Sequence, residues 1–291
     1  MNVARHPGEL ESLPRAVAIG TFDGVHTGHR AVIRAAVDAG LRPTVVTFDP
    51  HPRTALGNSV ELLCTLGRRL ELLETCGIED VLVIEFTPET AELAAGEFAE
   101  GVLGAIGTEI VLAGEGFRFG RGREGDCDLL RSLGLDAREV PLVPGVSSTR
   151  IRAHVKAGEM EAAAKLLGRP FEVDGVVVGG DRRGGTLGFP TANLRLEPTL
   201  LVPTYGIYAG AVDDRRAAVS IGVNPHYGGT ERRIEAYLLD WEGDLYGKRL
   251  IVELWQRLRS ERAFASEQDL IDQIARDVEQ TRAAQHPLER A

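Results

Sequence analysis

The amino-acid sequence predicts an α/β domain built on a parallel sheet, followed by an antiparallel β-barrel that ends in a closing helix. Through about residue 168, short apolar segments alternate with helical periodicity, which is typical of a parallel sheet covered by helices. Beyond that point, strand-like alternation and glycine-rich turns recur at the spacing of a small barrel. A chain of 291 residues is also long for one core, which favours two domains.

The first half is expected to form a Rossmann-like sheet with helices between its strands. Strands are predicted at residues 16–19, 44–48, 81–85, 110–113 and 138–142. Helical patterns begin at Arg30, cover residues 68–75, and run from Pro88 to about Ile106, where Thr87 can cap the last helix. Ligands of such sheets bind at the carboxyl ends of the strands, where the motifs described below fall.

The second half is expected to form the barrel. Strands are predicted at residues 172–178, 207–212, 217–221, 234–239 and 250–258. Apolar residues recur at helical spacing from about residue 267 to 281, which predicts the closing helix.

Composition excludes several classes of protein. The net charge of −10 argues against a nucleic-acid partner. No apolar run approaches the roughly 20 residues that span a bilayer, and the N-terminus lacks a signal-peptide core. Cys64, Cys76 and Cys127 have no C-x-x-C spacing, so neither a zinc site nor a disulfide framework is implied. We expect a cytoplasmic protein without a membrane or nucleic-acid partner.

Residues 20–29 form the first stretch that carries chemistry, and they read G-T-F-D-G-V-H-T-G-H. The stretch lies between a predicted strand and a predicted helix, where free amides and the helix dipole attract phosphate. His26 and His29 are three residues apart and can point the same way. Donors aimed at a pyrophosphate leaving group typically contribute ~10²–10³ in rate each. The alternative is a glycine-rich turn with two exposed histidines.

The residues that precede the histidines favour the catalytic interpretation. They resemble the signature of the nucleotidylyltransferase superfamily in the form found in bacterial FAD synthetases. The resemblance implies catalytic roles for both histidines and nucleotide binding by Gly20, Phe22, Asp23 and Gly24.

Two further motifs of the first half resemble the same family. Residues 47–53 read T-F-D-P-H-P-R, which by itself is a turn; the resemblance implies that Phe48, Pro50 and His51 help to bind the flavin. Residues 147–152 read S-S-T-R-I-R and open a predicted helix. Arginines in a first helical turn oppose the dipole, which favours a nearby anion over a simple cap. The resemblance implies that the ATP phosphates are bound by Ser148, Thr149 and Arg152.

Two departures from the family pattern concern the first half. Gly116 stands where relatives usually have Asn or Asp, so a polar side chain that could orient a ligand is missing. Residues 141–146 also leave almost no room for the customary hairpin before the serines. We therefore expect altered recognition of the nucleotide base.

A glycine-rich stretch, residues 179–188, leads into F-P-T-A-N at residues 189–193. Glycines beside basic residues can cover phosphates or form ordinary hairpin turns. The F-P-T-A-N block resembles riboflavin kinase, which implies that Thr191 and Asn193 hold Mg²⁺ bound to ATP. Gly184 and Gly188 are then expected to contact the nucleotide.

Later residues match riboflavin kinase in the same order. Glu235 alternates out of phase with its apolar neighbours; the resemblance implies a general base for the flavin's primary hydroxyl, against the alternative of an exposed strand carboxylate. Asn224 opens N-P-H-Y where relatives commonly have N-P-T-F, and we expect it to contact the flavin.

These matches predict a bifunctional enzyme. Residues 1–168 would transfer AMP from ATP to FMN, giving FAD and pyrophosphate, and residues 169–291 would phosphorylate riboflavin to FMN. Riboflavin, FMN and ATP are the expected small-molecule substrates, with Mg²⁺ as cofactor. One alternative is an active kinase whose nucleotidylyl domain is weak or uses another nucleotide such as CTP. A flavin-binding regulator without catalysis is disfavoured, because binding alone would not require Thr191, Asn193 and Glu235.

Overall fold

The structure is a computed structural model that describes residues 1–179, 189–223 and 232–289. The chain divides into two compact units. The first comprises Met1–Glu61 and Leu66–Ser147, and the second comprises Leu62–Thr65 and Ser148–Ala291. A four-residue segment of the first half of the sequence therefore belongs to the second unit, which no sequence pattern indicated.

The first unit contains a parallel sheet, which confirms the predicted α/β class. Within its described residues the sheet has six strands in the order β1-β4-β3-β2-β5-β6. Their bounds are β1 (Asn2–Ala4), β2 (Arg15–Ile19), β3 (Arg42–Asp49), β4 (Asp80–Glu85), β5 (Thr108–Gly114) and β6 (Asp136–Val140). Strand β1 was not predicted, because three residues are too few to show alternation.

Helices cover both faces of this sheet. They are α1 (Thr27–Val37), α2 (Pro52–Ala55), α3 (Leu66–Thr75), α4 (Pro88–Ala91), α5 (Ala95–Phe98) and α6 (Cys127–Ser132). Alternate residues of β2 divide between the faces: Ala16 packs with residues of α1, and Val17 packs with residues of α5. The sheet is thus buried on both sides, as its apolar strands require.

The single helix expected from Pro88 to Ile106 was wrong. Thr87 caps the helix as predicted, since its Oγ1 accepts from the Thr90 amide at 3.2 Å, but α4 ends after one turn. A new helix then starts, because the Glu97 carboxylate accepts the Ala94 amide at 3.0 Å. This helix continues from α5 into a π-helical stretch, Ala99–Gly104.

A buried ion pair lies at the amino ends of the central strands. Arg15 and Arg42 both donate to the carboxylate of Asp80, and the side chains of Arg15 and Asp80 are each 1% exposed. Burial by itself would raise the pKa of Asp80, but the hydrogen bonds from Arg42 and Arg15 outweigh it and lower that pKa. Asp80 therefore stays ionised and compensates the buried Arg15.

The second unit contains the predicted antiparallel barrel and closing helix. Its described strands close in the order β10-β11-β8-β7-β12-β9. They are β7 (Phe171–Val178), β8 (Ala192–Leu196), β9 (Gly206–Val212), β10 (Arg215–Val223), β11 (Arg232–Leu238) and β12 (Arg249–Arg259). Helices α7 (Ser148–Ala157) and α8 (Met160–Leu167) precede the barrel, and α9 (Glu267–Ala283) follows it. Strand β8 is not among the predicted strands; its first two residues belong to the F-P-T-A-N motif.

The segment Leu62–Thr65 is built into the second unit by backbone and side chain. The Leu62 amide donates to the Thr199 carbonyl at 2.7 Å, and the Leu201 amide donates to the Leu62 carbonyl at 2.8 Å. Leu63 is 1% exposed and packs in the core cluster of the barrel. Burial of a full leucine side chain typically contributes about 1.5–3 kcal/mol, so the segment is part of this unit's core.

Candidate active sites

The turn between β2 and α1 carries the first motif. Phe22, Gly24 and Val25 have positive φ angles of 49°, 78° and 39°, so the turn holds a backbone conformation that side chains rarely adopt. The ring of Phe22 lies over Gly20, where a Cβ would be 3.3 Å from the ring. Asp23 and Val25 are buried. Burial of the turn fixes the chain before α1 begins.

His26 and His29 come together at the start of α1. His26 is the N-cap, and its Nδ1 accepts the His29 amide at 3.2 Å. The two rings stack with centroids 3.5 Å apart and an interplanar angle of 13°. Because Nδ1 of His26 accepts, the proton of the neutral ring lies on Nε2, which is then a donor. The sequence predicted the shared direction but not the stacking.

The predicted flavin-binding residues lie at the carboxyl end of β3. Phe48 is buried and meets Phe86 edge to face, with centroids 5.6 Å apart. Pro50 is exposed, and His51 is half-buried as the N-cap of α2, where its Nδ1 accepts the Arg53 amide at 3.1 Å. The flavin roles of these three residues stay predictions.

An aromatic cluster beside Phe48 was missed by sequence reasoning. Phe48 also packs near Phe98, with centroids 6.4 Å apart, and Phe98 contacts Phe119 at 5.6 Å. Phe119 in turn stacks on Phe117 at 5.6 Å. These residues come from three separate segments, namely β3, α5 and the loop after β5, so no local pattern joins them.

Ser148, Thr149 and Arg152 lie on α7, which belongs to the second unit. Thr149 is exposed, whereas Ser148 and Arg152 are half-buried. The predicted helix start is thus present, and nucleotide binding by these residues stays a prediction.

Gly116, in the first unit, adopts a φ of 74°, and a Cβ built on it meets no atom within 4 Å.

The riboflavin kinase motifs converge on the barrel. Asn193 of β8 is the register partner of Glu235 on β11. The hydroxyl of Thr191, just before β8, donates to Oε2 of Glu235 at 3.2 Å. Ile234 and Ala236 face the barrel core, so Glu235 lies on the opposite face of its strand. Sequence reasoning placed these three residues in one site, and the structure brings them together.

Polar and charged neighbours complete this group. Oδ1 of Asn193 is buried and has no hydrogen-bond partner among the described residues. Nη1 of Arg233 lies 4.0 Å from Oε1 of Glu235. Ser220 of β10 is the other register partner of Glu235. Sequence reasoning missed Arg233 and Ser220, although Arg233 is two residues from Glu235 and therefore on the same face. Gly184, Gly188 and Asn224 lie outside the described residues.

Two family models match the chain. The FAD synthetase family matches residues 10–153, and the riboflavin kinase family matches residues 167–285. In the part of the chain that the structure describes, no helix has the length and apolarity needed to cross a membrane.

Three relatives named "Bifunctional riboflavin kinase/FMN adenylyltransferase" are similar over nearly their whole length. The Listeria monocytogenes protein is 35% identical, covering 94% of both chains. The Escherichia coli (strain K12) protein is 36% identical, covering 95% of this chain and 96% of the relative. The Bacillus subtilis (strain 168) protein is 32% identical, covering 94% of both.

A solved structure shares the architecture. The crystal structure of a protein described as a macrolide-efflux protein from Streptococcus pneumoniae superposes with a TM-score of 0.87. It is 31% identical and covers 97% of this chain and 99% of its own. The matches to the three bifunctional relatives over nearly their whole length and the two family matches agree on one assignment. The chain therefore belongs to the family of bifunctional riboflavin kinase/FMN adenylyltransferases.

Proposed function

We infer that this enzyme catalyses two successive transfers: the γ-phosphoryl group of ATP to riboflavin, giving FMN, and then AMP from a second ATP to FMN, giving FAD and pyrophosphate. The observation that carries the kinase assignment is the convergence of Thr191, Asn193 and Glu235 on one face of β8 and β11. The stacked pair His26 and His29 supports the second transfer.

In the kinase reaction, Glu235 is the proposed general base. Its carboxylate accepts the proton of the flavin's primary hydroxyl as that oxygen attacks the γ-phosphorus, and ADP leaves. The hydrogen bond from Thr191 to Oε2 fixes the carboxylate, which leaves Oε1 on the side of Arg233. A positioned base of this kind typically contributes ~10²–10⁴ in rate.

The same residues fit a magnesium ion. Mg²⁺ prefers hard oxygen ligands and usually combines a few protein oxygens with water and substrate phosphates. Asn193 offers a buried Oδ1 without a partner among the described residues, and Thr191 offers a hydroxyl. Bound there with ATP, Mg²⁺ would neutralise charge that develops on the phosphates. A cage of three or more acidic, histidine or cysteine side chains does not occur within the described ranges.

In the nucleotidylyl reaction, we propose that His26 and His29 stabilise the leaving pyrophosphate. The FMN phosphate attacks the α-phosphorus of ATP, and negative charge grows on the β-phosphate oxygen. The Nε2–H of His26 is a donor because Nδ1 is occupied by the His29 amide. Both rings lie in the first turn of α1 or at its cap, where the helix dipole also favours an anion.

The roles of the two domains and of the other predicted site residues are also proposals. We place nucleotidylyl transfer in residues 1–168 and the kinase in residues 169–291. Nucleotide contacts are proposed for Gly20, Phe22, Asp23, Gly24, Ser148, Thr149 and Arg152, and flavin contacts for Phe48, Pro50 and His51. A cytoplasmic location without nucleic-acid or membrane partners also stays a prediction.

Turnover tests these proposals directly. The full-length protein is incubated with riboflavin, ATP and Mg²⁺, and FMN and FAD are separated and quantified over time. We expect FMN to appear first and FAD to follow, with omission of Mg²⁺ abolishing both. FMN without FAD would support the alternative of a weak nucleotidylyl domain. Flavin binding without either product would support the regulator and overturn our proposal.

A further inference from the structure

Arg69 of α3 is a buried cation that none of the sequence motifs includes. Its side chain is 1% exposed. Nη1 donates to the Phe48 carbonyl at 3.0 Å and to Oγ1 of Thr47 at 3.3 Å. Nε and Nη2 have no hydrogen-bond partner among the described residues. The guanidinium therefore contacts the end of β3, at the residue proposed to contact the flavin.

The contact extends to the turn between β2 and α1. Thr47, which accepts from Arg69, donates its own hydroxyl proton to the Thr21 carbonyl at 3.1 Å. Thr21 directly precedes Phe22 in the turn that leads to His26. A continuous chain, Arg69 to Thr47 to Thr21, thus joins the proposed nucleotide turn to the proposed flavin residue. The Thr47 hydroxyl can accept from Arg69 and donate to Thr21 at the same time, because a hydroxyl has one donor and two acceptor lone pairs.

The positive charge of Arg69 is not balanced by a carboxylate of the described residues, in contrast to that of another fully buried arginine. Arg15 in the same unit is equally buried, yet it is paired with Asp80. Arg69 contacts neutral oxygens, and no carboxylate lies within ion-pair distance of it in the described part of the chain. The arginine guanidinium carries a permanent charge. Burying such a charge without a partner costs free energy, and a nearby anion would offset that cost.

We propose that Arg69 is a positioning residue for nucleotidylyl transfer. It holds the turn at Thr21 in a fixed position relative to Phe48. Its positive charge also favours binding of the polyphosphate at the carboxyl ends of β2 and β3. This inference rests on the proposed function of the first unit. Small misplacements of reacting groups are expensive in rate, so loss of Arg69 is expected to reduce the rate of the step itself.

The test compares two buried arginines in the full-length enzyme. Arg69→Met and Arg69→Lys are measured beside Arg15→Met and Arg15→Lys, with riboflavin phosphorylation in the same chain reporting the integrity of the second unit. We expect Arg69→Met to lower kcat for FMN adenylylation by roughly 10–100-fold with riboflavin phosphorylation unchanged. Arg69→Lys, which keeps the charge and one contact, should recover part of the loss. Arg15→Lys should lower Tm and leave kcat unchanged.

Two outcomes would overturn the proposal. One is an unchanged kcat in Arg69→Met, and the other is a decrease in kcat that appears only at temperatures where the variant melts. If Arg69→Met does not fold, Arg69→Lys decides: a kcat decrease below the Tm supports the proposal, and wild-type kinetics overturns it. The wild-type enzyme is assayed first; if it makes no FAD, the proposed function itself has failed, whatever Arg69 does.

Discussion

The hydroxyl of Thr65 donates a 2.6 Å hydrogen bond to Oδ2 of Asp174, a residue 109 positions further along the chain. Asp174 also accepts both Nε and Nη2 of Arg249 at 2.7 Å. Thr65 and Asp174 are both buried, and both belong to the second unit. A side chain from the first half of the sequence therefore completes a polar network at the wall of the barrel.

Thr65→Val tests this relationship. The substitution keeps the shape of the side chain and removes a donor to a buried carboxylate, which typically costs about 1–3 kcal/mol. We expect the free energy of unfolding of the second unit to fall by that amount, seen as earlier thermal inactivation of riboflavin phosphorylation. Thr199→Val is the matched control, because the Thr199 side chain is exposed and only its carbonyl contacts the segment. Equal melting of Thr65→Val and wild type would contradict the prediction.

Glu235→Gln should abolish the kinase. The amide keeps the volume and can still accept from Thr191, but it cannot take a proton, so FMN formation is expected to fall by ~10²-fold or more. Conversion of supplied FMN to FAD, measured in the same preparation, should not change. Glu242→Gln, at an exposed position, serves as the control and should leave both activities unchanged. Undiminished riboflavin phosphorylation in Glu235→Gln would remove this residue from the mechanism.

His26→Ala should slow nucleotidylyl transfer. The change removes both the proposed donor to pyrophosphate and the cap of α1, so we expect kcat for FAD formation to fall by ~10²–10³. His6→Ala is a close control, because His6 also caps a short helix through Nδ1, accepting the Gly8 amide at 3.1 Å. His6→Ala should leave both activities intact. Parallel loss of kinase and nucleotidylyl activity in His26→Ala would indicate a folding role instead.

Gly116 sets the fourth prediction, which concerns the choice of nucleotide. The wild-type enzyme is expected to form FAD more slowly than FMN, or to accept another triphosphate such as CTP comparably to ATP. Gly116→Asn should increase the preference for ATP, since Asn tolerates the left-handed backbone and the Cβ has open space. A hydrogen-bonding side chain is worth about 1–3 kcal/mol in such discrimination.

The measurement uses FMN and Mg²⁺ with each of the four ribonucleoside triphosphates in separate reactions, for both proteins. Gly57→Asn is the control for backbone strain, because Gly57 has a similar φ of 84° and equally open space. Fast transfer by the wild type with ATP and none with the others would show that Gly116 is tolerated in an ordinary FAD synthetase.

Elements with a clear period were predictable from the sequence alone. The predicted bounds of β2, β3, β7 and β11 agree with the structure to within two residues at each end. A strand that buries one or both of its faces has a regular pattern of apolar residues. The expected helix from Pro88 to Ile106 failed for the complementary reason. Its apolar spacing continues through residues 92–94, but side-chain caps at Thr87 and Glu97 start separate helices.

The class of both folds, their order and the family were all predictable from the sequence, because they depend on local periodicity and on contiguous motifs. The sequence also indicated that Thr191, Asn193 and Glu235 share a site. Three-dimensional contacts were needed to show that Leu62–Thr65 belongs to the second unit and that Arg69 links the end of β3 to the turn after β2. Such relationships join residues far apart in the chain, and a buried hydrogen bond between distant residues leaves no period or spacing in the sequence from which it could be inferred.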